Sequence, residues 1–222
     1  MSRRVAILRP EPGNAATAAR LHHAGFDPLP LPLFKVSPLD WTPPQREDFD
    51  GLLFTSANAL RHGGPDLASL RGLPVLAVGS ATADAAHAAG FTVKHTGSTD
   101  LTELLRSAPD FVRLLCLSGR ARTAIEHPAL AAIVPVYASD PIALAAADAE
   151  TLRGSVALIH SARAGMQLAA VLAGHGIARD TVRTAAISHK AAIAAGPRWD
   201  RVAVAATPDD EALIAAARPL AI

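Results

Sequence analysis

Aromatic residues make up only 4% of this 222-residue chain, which leaves few rings for the stacking platforms that hold single-stranded nucleic acid. An excess of charge is missing too. The 21 Lys and Arg against 20 Asp and Glu give a net charge of +1, so no basic field draws a polyanion. The single cysteine, Cys116, excludes an intrachain disulfide and fits a reducing compartment. It sits inside the apolar run Leu114-Leu115-Cys116-Leu117 and reads as inert core. No apolar run nears the roughly 18 residues of a membrane span. The opening Met1 to Leu8 starts with a basic pair but stops at Arg9-Pro10, too early for a signal-peptide core. These absences predict a soluble, cytoplasmic protein that engages neither nucleic acid nor membrane.

Several motifs are absent as well. The turn after Val5-Ala6-Ile7-Leu8 holds Arg, Pro, Glu and one Gly, so the dinucleotide fingerprint is missing. There is no phosphate loop, nucleophile elbow or paired-histidine zinc motif. The nine histidines lack ligand spacing, and His22-His23 reads as helix surface. No metal and no cofactor is expected.

What is present is apolar material and repetition. Half the residues are hydrophobic, enough for one large domain or two small ones. Short apolar runs at Val5–Leu8, Leu52–Phe54, Val75–Val78, Phe91–Val93, Leu114–Leu117, Val156–Ile159, Ala185–Ile187 and Val202–Ala205 read as strands, each followed by a helix. Such alternation predicts an α/β fold of parallel sheets covered on both faces. Asn14 is expected to cap the first helix, and Gly25 and Gly90 to stop helices. Ser80 or Thr82 is expected to open another helix, and Asp100 with Glu103 has near capping-box spacing. Two strands carry proline, Pro28 to Val36 and Ile133 to Tyr137, and belong at an edge or in a bridge. Trp41 to Asp48 is a Pro-broken connector.

Leu53 to Ala59 lines up with Leu158 to Ala164, Ala77 to Ala83 with Ala186 to Ala192, and Thr102 to Leu105 with Glu211 to Ile214. The order is kept, about half the chain apart. Duplicated α/β units favour a ligand cleft between them.

The turns after the strands supply the candidate site. Thr55-Ser56-Ala57-Asn58, Gly79-Ser80-Ala81-Thr82, Ser118-Gly119-Arg120 and His160-Ser161-Ala162-Arg163 all sit where a strand is expected to give way to a helix. They admit two readings. Their hydroxyls cap helix N-termini, or those N-termini at strand carboxyl ends bind an anion. Arg9, Arg120, Arg122, Arg163 and Lys190 add positive charge at the same edge. Arg9 either pairs with Glu11 or takes a carboxylate. Tyr137 is the only tyrosine; a lone tyrosine is commonly a packing residue with its hydroxyl satisfied.

Taken together, these residues resemble the uroporphyrinogen-III synthase family nearly end to end. The match runs through Arg9-Pro10, Leu29 to Val36, Phe54 to Ala59, Val78 to Ala83, Leu117 to Arg120, Pro135-Val136-Tyr137, Ser161-Ala162-Arg163 and Ala205-Ala206-Thr207-Pro208. The resemblance implies two similar α/β domains with parallel sheets flanked by helices, joined by a two-stranded bridge. One domain would take residues 1–36 and 141–222, the other 40–137, with the bridge near 33–39 and 134–142. It implies closure of the linear tetrapyrrole hydroxymethylbilane to uroporphyrinogen III, with loss of water and inversion of the last pyrrole, through a spiro-pyrrolenine and without cofactor. A monomer is expected. By position Tyr137 resembles the tyrosine proposed to assist departure of the hydroxyl, and Thr82 a threonine lining the cleft. The substrate-binding set would be Arg9, Thr55, Ser56, Asn58, Gly79, Ser80, Thr82, Ser118, Arg120, Ser161, Arg163, Ser188, Lys190 and Thr207. The chain departs from the family at Ser188-His189-Lys190-Ala191, where a Gly-Pro-Thr-Thr-like turn is common; Ser188 can replace a hydroxyl and Lys190 can bind a carboxylate. Two other readings are a non-catalytic two-domain protein binding a small anion, and a nucleotide-dependent α/β enzyme, which the missing fingerprint disfavours.

Overall fold

The computed structural model describes residues 3–97, 101–108, 110–122 and 126–222. The chain divides into two compact units, one formed by Met1–Lys35 with Asp140–Ile222 and the other by Val36–Ser139.

The first unit opens with β1 (Val5–Ile7), α1 (Gly13–His23) and β2 (Pro28–Pro30). It resumes after the second unit with α5 (Ala146–Glu150), β9 (Val156–Ile159), α6 (Ala162–Gly174), β10 (Arg183–Ala186), α7 (His189–Ala195), β11 (Val202–Val204) and α8 (Asp210–Ala217). Its sheet runs β11-β10-β9-β1-β2, all parallel. Consecutive side chains of a strand point to opposite faces. Accordingly Ala6, Leu8, Ala157 and Ile159 enter one apolar cluster, and Val5, Ile7, Val156 and Leu158 the other. Both faces are covered, so the strands read as unbroken apolar runs.

The second unit follows β3 (Phe34–Pro38), and holds β4 (Gly51–Phe54), α2 (Ala57–His62), β5 (Val75–Val78), α3 (Ser80–Ala88), β6 (Val93–Gly97), α4 (Leu101–Arg106), β7 (Leu114–Gly119) and β8 (Leu130–Pro141). The sheet order is β3-β8-β7-β4-β5-β6, with β8 to β6 parallel. Leu52, Phe54, Leu115 and Leu117 fill one cluster, and Leu53, Leu114 and Cys116 the other. Burying one such leucine stabilises by about 1.5–3 kcal/mol. The core is mainly aliphatic, with the Phe54 and Phe91 rings packed edge to face within it.

The chain leaves the first unit through β3 and returns through β8. The Ile142 N–H donates to Leu33 O (2.9 Å) and the Leu39 N–H to Val136 O (3.0 Å). As one strand advances six residues the other retreats six, so the pair is antiparallel.

The structure differs from several local expectations. The proline-rich stretch Pro28 to Val36 is two strands, β2 and β3, because Pro30 and Pro32 cannot donate to a continuous ladder. Phe91 is a buried residue before a later strand, Val93–Gly97. No helix lies between β7 and β8 among the described residues, so Ser118 is a buried strand residue, 1% exposed, and not a cap. Asn14 lies inside α1; its carboxamide donates to Ile7 O (2.8 Å) and Arg9 O (2.9 Å), while Glu11 accepts from the Ala15 N–H (3.0 Å). Ser80 does open α3 as expected, but neither it nor Thr82 caps it, and the helix follows Gly79 without a side-chain cap. Asp100 lies outside the described residues. Gly25 and Gly90 do follow helices with φ of +82° and +81°.

Candidate functional site

In each unit the predicted residues collect at the carboxyl ends of the central strands. In the second unit Thr55, Ser56 and Asn58 follow β4, and the Ser56 hydroxyl caps α2 by accepting the Asn58 N–H (3.2 Å). Asn58 Oδ1 in turn accepts from Arg61 (3.3 Å). Gly79 follows β5 at φ +84°, ψ 151°, a conformation nearly closed to other residues. Its carbonyl accepts from the Thr82 and Ala83 N–H groups (both 3.1 Å). Ser80 is exposed on α3, whereas Thr82 is buried. Arg120 follows β7, and its N–H donates to Tyr137 O (2.8 Å). Tyr137 lies on β8, half-buried, with its ring 6.4 Å from that of His62. Burial and the Arg61 charge lower the His62 pKa.

In the first unit Ser161 and Ser188 cap α6 and α7, accepting the Ala164 N–H (3.1 Å) and Ala191 N–H (3.2 Å). Arg163 stacks its guanidinium on the Phe34 ring, 4.4 Å from the centroid. Lys190 is exposed in the first turn of α7. Thr207 follows β11 and donates to the Asp209 carboxylate, which itself caps α8.

Arg9 follows β1. It lies 3.6 Å from Asp210, the first residue of α8. Asp210 also accepts from Thr17 (2.9 Å), Arg20 (2.7 Å) and His160 Nε2 (2.9 Å). Its side chain is 13% exposed and that of His160 7%. Burial alone would raise the Asp210 pKa; the hydrogen bonds from His160, Thr17 and Arg20 hold it well below the usual carboxylate range. Burial lowers the His160 pKa, with the Arg9 charge acting in the same direction and the Asp210 hydrogen bond opposing it. A neutral His160 therefore donates from Nε2 to a charged Asp210. Two arginines thus share one carboxylate beside a neutral imidazole, with the Asp209 carboxylate close enough to feel the Asp210 charge.

Asp210, His160, Thr17, Arg20 and His62 were not among the predicted site residues. His160 stood in a turn that was recognised, but nothing local marks its bond to Asp210, fifty residues on. Among the described residues no group of three His, Cys, Asp or Glu is placed to hold a metal. Burial raises the Cys116 thiol to about 11, which keeps it protonated and unreactive. An open recess lined by Ile177, Arg179, Pro197 and Arg198 lies at the amino ends of β10 and β11, away from these residues. No described helix is long and apolar enough to cross a membrane.

Comparison with known proteins bears on what the arrangement is for. The family described as "Uroporphyrinogen-III synthase HemD" matches residues 15–215. No curated protein matches the chain. Among solved structures, uroporphyrinogen-III synthetase from Helicobacter pylori 26695 is 17% identical with a TM-score of 0.65, covering 98% of this chain and 99% of that one. A mutant uroporphyrinogen III synthase from the extremely thermophilic bacterium Thermus thermophilus is 18% identical with a TM-score of 0.55, covering 99% and 97%. At these identities the likeness is one of fold; the family match covers most of the sequence.

Proposed function

From the premise that the chain belongs to the uroporphyrinogen-III synthase family, and so is a lyase of tetrapyrrole biosynthesis, we propose how its residues close hydroxymethylbilane to uroporphyrinogen III. The substrate is flexible and carries eight carboxylates. Binding it in one productive fold is most of the task. Arg9, Arg120, Arg163 and Lys190, with the helix starts after Ser56, Gly79, Ser161 and Ser188, supply charge and N–H donors for those carboxylates. Departure of the terminal hydroxyl as water takes up one proton. Tyr137, the chain's only phenol, supplies it. The methylene cation left behind is stabilised by its own pyrrole nitrogen and attacked by the α-carbon of the last pyrrole that already carries a methylene bridge, giving the spiro-pyrrolenine. The older bridge bond then breaks, leaving its methylene as a cation on the neighbouring pyrrole, and this methylene bonds to the free α-carbon of the last ring, which is thereby inverted. The proton released when the macrocycle regains aromatic pyrroles returns to the phenolate, so the enzyme is unchanged after each cycle.

The observation that carries this reading is the gathering of these residues at the carboxyl edges of both sheets of a chain that the family description spans. We place the protein in the cytoplasm as a monomer working without metal or nucleotide. Purified protein with a chelator present should turn hydroxymethylbilane into the type III isomer, separated from type I by chromatography. Type I alone, the spontaneous product, would refute the activity. Tyr137→Phe should lower kcat about 10- to 1000-fold, up to the usual general-acid contribution. Turnover near that of the unaltered protein would move proton donation to another group, such as the substrate's own carboxyls.

A further inference from the structure

The strand that carries Tyr137 does not run evenly beside its neighbour. Leu117 pairs with Val134 and Ser118 with Pro135, but Gly119 pairs with Tyr137, so Val136 is an extra residue in β8. Before this bulge β8 alternates: Ala132 and Val134 pack on one apolar cluster and Ile133 on the opposite one. After it, Val136 and Tyr137, though consecutive, belong to the same cluster. The bulge has turned Tyr137 to a face that strict alternation would deny it, as bulges beside functional sites do.

The facing position has been cleared to receive the ring. A Cβ on Gly119 would stand 2.8 Å from Tyr137 Cζ, 2.9 Å from Cε2 and 3.0 Å from Oη. The backbone of Gly119 is not left-handed, so glycine is needed there for space and not for φ. The Arg120 N–H to Tyr137 O bond (2.8 Å) ties the two strands just beyond the ring, and the His62 ring flanks it at 6.4 Å.

We propose that Gly119, with the bulge at Val136, is the seat that aims the Tyr137 phenol over the carboxyl end of β7, making Gly119 a positioning residue for proton donation. The inference rests on the reading of Tyr137 as the proton donor. The three atoms nearest a methyl at 119 all belong to the far end of the Tyr137 side chain, so Gly119→Ala should fold and displace the ring.

The experiment pairs a spectrum with kinetics. Because the chain has one tyrosine, protein grown on ring-labelled tyrosine gives one set of ring signals, all from Tyr137. Gly119→Ala should shift them and lower kcat by about 10- to 100-fold, the scale of a misplacement near 1 Å, with KM little changed. Gly119→Ala combined with Tyr137→Phe should be no slower than Tyr137→Phe alone. Unshifted ring signals would overturn the seat, and so would a double variant slowed by the product of the two single effects. If Tyr137→Phe alone kept full activity, the donor assignment would fall and with it the catalytic purpose of the seat; the ring signals would still decide whether the seat exists.

Discussion

At the scale of single residues, Asp210 is a meeting point of the first unit. It accepts from Thr17, Arg20 and His160 and faces Arg9, so one carboxylate ties α1 and the ends of β1 and β9 to the start of α8. Asp210→Asn puts an N–H₂ donor among donors, and should cost about 1–3 kcal/mol in urea unfolding through unsatisfied buried groups. His160 gives the hub a pH dependence. Its folded pKa lies below that of a free imidazole because it is buried. Well above about 6.5 neither state binds the proton and His160 contributes no slope. As pH falls below that value the unfolded chain takes up a proton that the folded chain refuses, so stability declines by at most about 1.4 kcal/mol per pH unit. The Asp210 carboxyl, also lowered, adds a second loss at more acid pH, as pH drops through its folded value. His62 is lowered as well, so the test is a difference. Thermal midpoints of His160→Gln should fall less between about pH 6.5 and 5 than those of the unaltered protein, since the variant lacks the titrating imidazole. Parallel curves would show that His160 titrates alike folded and unfolded.

At the scale of elements, the helix starts are closed in different ways, the one after β11 by the Asp209 carboxylate. Those after β4, β9 and β10 are closed by serine hydroxyls, and removing one, as in Ser161→Ala, should cost about 1 kcal/mol. The start after β5 depends on Gly79 at φ +84° with open space around it. Gly79→Ala should therefore cost about 1–3 kcal/mol from backbone strain alone, although the methyl touches nothing. Equal stability in denaturant melts would mean that the turn relaxes. The serine caps were legible because capping involves residues two or three apart. The roles of Asn14 and Ser80 were not, since polar residues near a predicted helix start look alike until the neighbouring strand is placed. Ser118 was misjudged for a related reason: β7 passes to β8 without the expected helix, and no local residue says so. The Tyr137 seat was hidden because a bulge is a relation between two strands.

At the scale of the molecule, the two sheets share one order once their chain starts are matched. The series β6, β5, β4, β7, β8 corresponds to β11, β10, β9, β1, β2. This explains why the legible repeats cover β4 to α4 and β9 to α8 but not the opening strands. In the second unit the series is continuous in sequence, while in the first it is cut between β2 and α5. The antiparallel register at the cut sets Lys35 opposite Asp140, so a two-residue Asn-Gly turn can close the gap. A chain of residues 3–35, Asn-Gly and 140–222 should retain protected amides in β1 and β9 by hydrogen exchange. Full exchange there would show that the first unit requires the second. The cut also has a consequence for birth on the ribosome. Val5 meets one sheet partner, Pro28, close by in the chain, but the other, Val156, leaves the exit tunnel about 150 residues later. At about 5–20 residues per second the strand Val5–Ile7 waits on the order of ten seconds for β9, while residues 36–139 emerge between them. The strand is thus paired on one side only through that interval, and its open edge toward β9 offers a nascent-chain chaperone a target.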